Sequence, residues 1–168
     1  MKGLTALLLF AVSVTAAAQT ADAIYQRACG PKDARFVVEQ VQGQPPAAPE
    51  PGKALVYFIQ KEAIRVFVTR VGLDGAWVGT ILHDSYIFAS VTPGEHHACV
   101  ATQDQKKPGA ELVHFTAEAG KTYYFLVRGI VSSVGYGGIA TMEFGPADRD
   151  DALYWIASKP MSVAKPKE

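Results

Sequence analysis

Gly72-Leu73-Asp74-Gly75-Ala76-Trp77-Val78-Gly79 and, just after it, Tyr86-Ile87-Phe88-Ala89-Ser90-Val91-Thr92-Pro93-Gly94-Glu95-His96-His97-Ala98-Cys99-Val100 decide the fold class. The first reads as strand, Asp-Gly turn, strand, with Asp-Gly supplying the positive-φ pair of a tight hairpin. The second reads as strand, Pro-Gly turn, strand, with Pro-Gly suited to the centre of a type II turn. Repeated hairpins of this kind predict an all-β domain. They supply turns and packing surfaces rather than a reaction centre.

The same alphabet continues on both sides. Residues 54–60 are a continuous apolar run, residues 64–71 are rich in β-branched side chains, and residues 76–82 return from the Asp-Gly turn. Residues 111–117 and 122–128 flank Glu118-Ala119-Gly120-Lys121, a third hairpin, and residues 139–144 form a last strand after a flexible loop at 132–138. Upstream, residues 34–41 make a short strand, and the proline-rich stretch 42–52 is an extended connector, because proline removes donors and fixes φ. Asp148 caps one helix, Asp150 and Asp151 favour its positive end, Leu153 and Ile156 give it an apolar stripe, and Pro160 stops it. The expectation is therefore a single β-sandwich of mostly antiparallel hairpins with one short C-terminal helix. Residues 19–52 form an N-terminal segment and connector, residues 53–162 the sandwich, and residues 163–168 a disordered tail. The chain has no Asn, which leaves Gly to carry the left-handed turn positions.

Several strands are apolar on both faces. Tyr123-Tyr124-Phe125-Leu126-Val127 holds no charge, and in the Pro-Gly hairpin Ile87, Ala89 and Val91 share one face with Ala98 and Val100, Tyr86 and Phe88 the other with Cys99. A sandwich needs one apolar face per strand, so the second faces need covers. The Cys29 segment and the C-terminal helix are the available ones.

The N-terminus reads as an export signal: Lys2, an apolar core at 4–14, and Ala16-Ala17-Ala18 at the cleavage position. Cleavage after Ala18 leaves Gln19 first; Ala21-Asp22-Ala23 is a second site further from the core. The apolar run is shorter than the roughly 20 residues of a membrane span, and no other segment is long and apolar enough. In an exported chain the two cysteines, Cys29 and Cys99, predict a disulfide. Gln26-Arg27-Ala28 lacks the small and aliphatic residues that precede a lipidated cysteine; free thiols or a metal pair are the other readings. Lys plus Arg and Asp plus Glu each number 16, and loss of Lys2 leaves one excess negative charge. A near-neutral chain without a basic cluster argues against a nucleic-acid partner.

His83-Asp84-Ser85 has the residue types of a hydrolase triad, but neighbours on a strand point to opposite faces and do not converge. His96-His97 invites a metal reading, with His83, His114 or Asp84 as further donors; the same alternation sends His96 and His97 apart. Gly135-Tyr136-Gly137-Gly138 resembles a phosphate loop in composition only, since no helix follows it.

Pro51-Gly52-Lys53-Ala54-Leu55-Val56-Tyr57, Leu73-Asp74-Gly75-Ala76-Trp77-Val78-Gly79, Pro93-Gly94-Glu95-His96-His97-Ala98-Cys99 and Glu118-Ala119-Gly120-Lys121-Thr122-Tyr123-Tyr124-Phe125, in this order, resemble an exported bacterial family, domain of unknown function 2846. The likeness runs from about Cys29 to Ser162. It implies a small β-sandwich in the bacterial envelope and carries over no catalytic or binding residues. Many members look like lipoproteins, and this chain departs from them by lacking the lipidation signal.

The expectation that follows is a non-enzymatic, periplasmic or secreted module. It has no catalytic, cofactor or metal residues and acts by contact with an envelope protein or cell-wall component. The alternative is a metal- or small-ligand-binding protein using His83, His97 or His114; a hydrolase ranks third.

Overall fold

The computed structural model describes residues 20–43, 48–61, 68–103, 109–134 and 137–167. The export signal, the middle of the proline-rich connector, the first part of the 64–71 strand and Gly135-Tyr136 lie outside them. Two sheets pack face to face. The larger has the order β1(Phe36–Val41), β10(Met161–Pro166), β5(Tyr86–Val91), β2(Ala54–Lys61), β8(Thr122–Val134), β9(Gly137–Pro146); the smaller runs β4(Ala76–Leu82), β3(Val68–Leu73), β6(Gly94–Thr102), β7(Ala110–Ala117). Among the described residues two helices lie outside the sheets, α1(Ala21–Ala28) and α2(Arg149–Ser158). The all-β sandwich expectation holds.

The core lies between the sheets. Val56, Phe58, Ile87, Phe125 and Val127 from the large sheet meet Val71, Leu73, Ile81, Ala98 and Val100 from the small one. The covers stand where the double-sided apolar strands demand them. Ala152 and Ile156 of α2 press onto Leu55, Tyr57, Ile59 and Tyr86 on the outer face of the large sheet. Ala28 and Cys29 press onto Cys99 on the outer face of the small one. β2, sandwiched twice, is buried from Ala54 through Gln60, which explains its unbroken apolar run.

Asp74-Gly75 forms the tight turn between β3 and β4, with φ of 51° and 84°. The other two hairpins are corrected. β5 and β6 belong to different sheets, as do β7 and β8, so Thr92-Pro93 and Glu118–Lys121 are arches that carry the chain across the sandwich. Gly94 is the first residue of β6, at φ 134°, not the centre of a type II turn. The inward half of the face assignment survives, with Ile87 and Val91 meeting Ala98 and Val100 in the core from opposite sides, but Tyr86 and Cys99 lie on the outer faces of different sheets rather than on one face.

Four further differences follow from strand pairing, capping and turn geometry. The expected tail is ordered through Pro166, because β10 pairs antiparallel with β1, from Phe36↔Pro166 to Val41↔Met161. The N-terminal segment contributes a helix and an edge strand: Thr20 caps α1 by accepting from the Ala23 amide, and β1 edges the large sheet. β8 continues to Val134, into the expected loop, because β9 pairs with it along its whole length. Asp74 and His83 share the left-handed region with glycine; Asp and His are among the non-glycine residues enriched there.

Candidate functional site

The histidines and their neighbours are the chemistry-bearing residues of this fold, and the topology distributes them to three places. β6 alternates, so His96 follows Ala98 and Val100 inward while His97 follows Cys99 outward. The divergence expected of this pair is observed.

His96, 7% exposed, sits at the rim of the core against the Phe115 ring. Its Nδ1–H donates to Asp74 Oδ2 at 2.6 Å and its Nε2–H to the Thr92 carbonyl at 2.7 Å. A carboxylate and a carbonyl only accept, so satisfying both partners requires protons on both ring nitrogens, and the geometry favours the imidazolium form. Burial opposes that charge, but the hydrogen bonds to Asp74 and Thr92 and the Asp74 charge outweigh it, and the pKa is raised. Asp74 also accepts from the His97 amide through Oδ1 at 2.9 Å. One carboxylate thus fastens the β3–β4 turn to β6 and, through His96, to the arch between the sheets.

His97 stands opposite His114 in the β6–β7 register, their rings 4.9 Å apart. His83 lies elsewhere, in the β4–β5 connection, and its Nδ1 is buried without a partner. The three histidines of the alternative reading therefore do not meet, although two of them do. Sequence spacing gives no hint of that pair, because it arises from strand register.

The His83-Asp84-Ser85 trio does not form a triad. Ser85 Oγ donates to the Leu82 carbonyl at 2.9 Å and lies 2.7 Å from Ser162 Oγ. Those bonds tie the β4–β5 connection to β10 and place no base at the hydroxyl. Among the described residues, no group of three or more His, Cys, Asp or Glu is arranged to hold a metal ion.

Cys29 and Cys99 are joined as a disulfide, with Cα atoms 5.6 Å apart, across 70 residues of chain. Gly72 makes room for it: a Cβ there would lie 2.8 Å from both the Ala28 carbonyl and Cys99 Sγ. A hollow lined by Asp22, Tyr25, Gln26, Pro31 and Lys32 opens beside it. Its charges are spent on each other, Lys32 Nζ lying 2.8 Å from Asp22.

Arg70 was missed by sequence reasoning. Amid apolar strand residues it reads as an outward charge, yet it is fully buried. Its Nη1 donates to the Lys32 and Ala34 carbonyls at 3.0 and 2.9 Å, and its guanidinium lies 4.5 Å from the Trp77 ring centre. Trp77 Nε1–H donates to the Pro31 carbonyl at 2.8 Å. This cation holds the chain between α1 and β1 down on the sheet; its partners are backbone carbonyls that no sequence pattern announces.

The remaining feature is apolar. Paired strands place Val37 and Val41 of β1 and Val163 of β10 on the α2 side of the large sheet, and Phe88, two residues from Tyr86, joins them. They are 51%, 37%, 36% and 39% exposed, a strip that α2 leaves uncovered and that the exposed Glu39, opposite Val163, and Lys165, opposite Val37, interrupt. The chain matches no family model, and no curated protein or solved structure matches it.

Proposed function

We propose that the chain is an exported, non-enzymatic contact module of the bacterial envelope, periplasmic or secreted, whose partner is a protein that seats apolar side chains on the Val37–Val41–Val163–Phe88 strip. The uncovered face carries this reading: exposed apolar side chains grouped on one sheet face, here interleaved with Glu39 and Lys165, suit a partner surface with both apolar and polar contacts. The disulfide supports export, since such bonds persist in oxidising compartments, as does the signal-like N-terminus. No described helix is long and apolar enough to cross a membrane. The resemblance to domain of unknown function 2846 points the same way.

Photo-crosslinking in cells tests it, with the reactive group placed in turn at Val37, Phe88 and, as a control on the other sheet, Thr116. Adducts to a defined protein from Val37 and Phe88, none from Thr116, and their loss on Val163→Lys are the expected result. Equal adducts from all three positions, or none from the strip, would overturn the reading. Sequencing of the mature N-terminus should begin at Gln19; an intact Met1 would remove the export step.

A further inference from the structure

We propose that His97 and His114 form an exposed two-histidine site for a divalent transition ion, copper(II) foremost and zinc more weakly. The two residues are directly opposed on β6 and β7, on the face turned away from the core. Their ring centres are 4.9 Å apart. With metal–nitrogen bonds of about 2.0 Å and ring centres roughly 1.2 Å beyond the nitrogen, two imidazoles bound at about 90–109° stand about 4.5–5.2 Å apart. The observed separation falls inside that window, so capture of an ion calls for ring rotation and no movement of the strands.

The backbone beneath the pair is held in place. The His97 amide donates to Asp74 Oδ1 at 2.9 Å, and the His97 carbonyl accepts from the Asp74 amide at 2.8 Å. His114 is half exposed, and the carboxylate of Glu95, on the same face, lies 3.8 Å from its Nε2. Negative charge beside the pair favours a cation and is positioned to serve as an outer partner orienting His114. Two nitrogens leave the other positions to water or to a donor from a bound partner. Imidazole suits copper, zinc and nickel, and the usual order of divalent affinities places copper(II) first.

The test is calorimetric titration of the oxidised mature protein with copper(II) and with zinc, paired with copper paramagnetic resonance. One copper per chain with two coupled nitrogens is expected. His97→Ala and His114→Ala should each weaken binding by at least the roughly tenfold that loss of an outer partner costs a metal site, and leave one coupled nitrogen. His83→Ala should bind as the parent does, and metal-free melting curves of the variants confirm their folding. Absence of stoichiometric binding overturns the proposal. So does copper that is retained in folded His114→Ala, because the ion would then be held elsewhere, for instance at the amino terminus.

Discussion

The two covers of this sandwich are held by opposite means. On the large sheet, α2 sets Ala152 and Ile156 into a bed of Leu55, Tyr57, Ile59 and Tyr86, with Tyr124, Leu126 and Trp155 around them. Apolar burial suffices there, and no covalent link is present. On the small sheet, α1 brings only Ala28 and Cys29 to full burial, with Tyr25 and Trp77 alongside. That contact is too small to hold a segment against its own conformational entropy. It is supplemented by the disulfide, by Arg70 on two backbone carbonyls, and by Trp77 on a third. A cover with an aromatic bed keeps itself in place; one without it needs a cross-link and a buried cation.

The strongest test of that contrast is removal of the cross-link. Cys29→Ser with Cys99→Ser should lower stability by about 4 kcal/mol, from the chain entropy of a loop of this length. Hydrogen exchange should show residues 21–35 opening first while α2 stays protected; simultaneous loss of both covers would break the comparison. Ile156→Ala, next in size, should cost about 3 kcal/mol for a buried large-to-small change. Here no segment should open ahead of the rest, since the site lies in the shared apolar bed. Gly72→Ala should cost roughly 2 kcal/mol by overpacking: its Cβ meets the Ala28 carbonyl and Cys99 Sγ at 2.8 Å, so α1 lifts and thiol reagents reach the disulfide faster. Unchanged reduction kinetics would mean that the close approach does not matter.

The smallest effect concerns pH. The raised pKa of His96 means that its contribution is fully present below the unfolded histidine value of about 6.5 and is lost as pH rises through the higher folded value. Asp74, the Thr92 carbonyl and Phe115 surround the ring. The turn it fastens lies under α1, where a Gly75 Cβ would come within 2.9 Å of the Gln26 carbonyl. Alkaline titration in the presence of a chelator should therefore loosen the N-terminal cover before the C-terminal one. His96→Gln should flatten the profile; a parallel slope in that variant would assign the effect to another group.

What the sequence revealed follows from the range over which its signals act. Asp74-Gly75 is a local turn and stands where the residues put it. The need for covers was legible because apolar residues on both faces of a strand are a local pattern, and Asp148 and Pro160 bracket α2 for the same reason. Thr92-Pro93 and Ala119-Gly120 were misread because a turn residue reverses the chain equally well within a sheet or between two sheets. The choice depends on which strands fill the gap opposite. β10, with Lys165 and Pro166, has no strand signal of its own, and its partner β1 lies more than a hundred residues away. Arg70 is likewise a product of distant chain segments meeting, while the His97–His114 pair depends on the register of two consecutive strands.

The pairing of β1 with β10 has a consequence for the order in which the molecule is completed. β1 is among the first ordered pieces to be synthesised, and the strand that pairs with it is nearly the last. Until β10 is in place, β1 has no neighbour, the large sheet stops at β5, and Ser162 cannot reach Ser85 or the Leu82 amide. Pairing the two strands closes the longest stretch of chain in the large sheet, and the entropy of so wide a closure puts this contact behind the pairings of strands that lie nearer to one another.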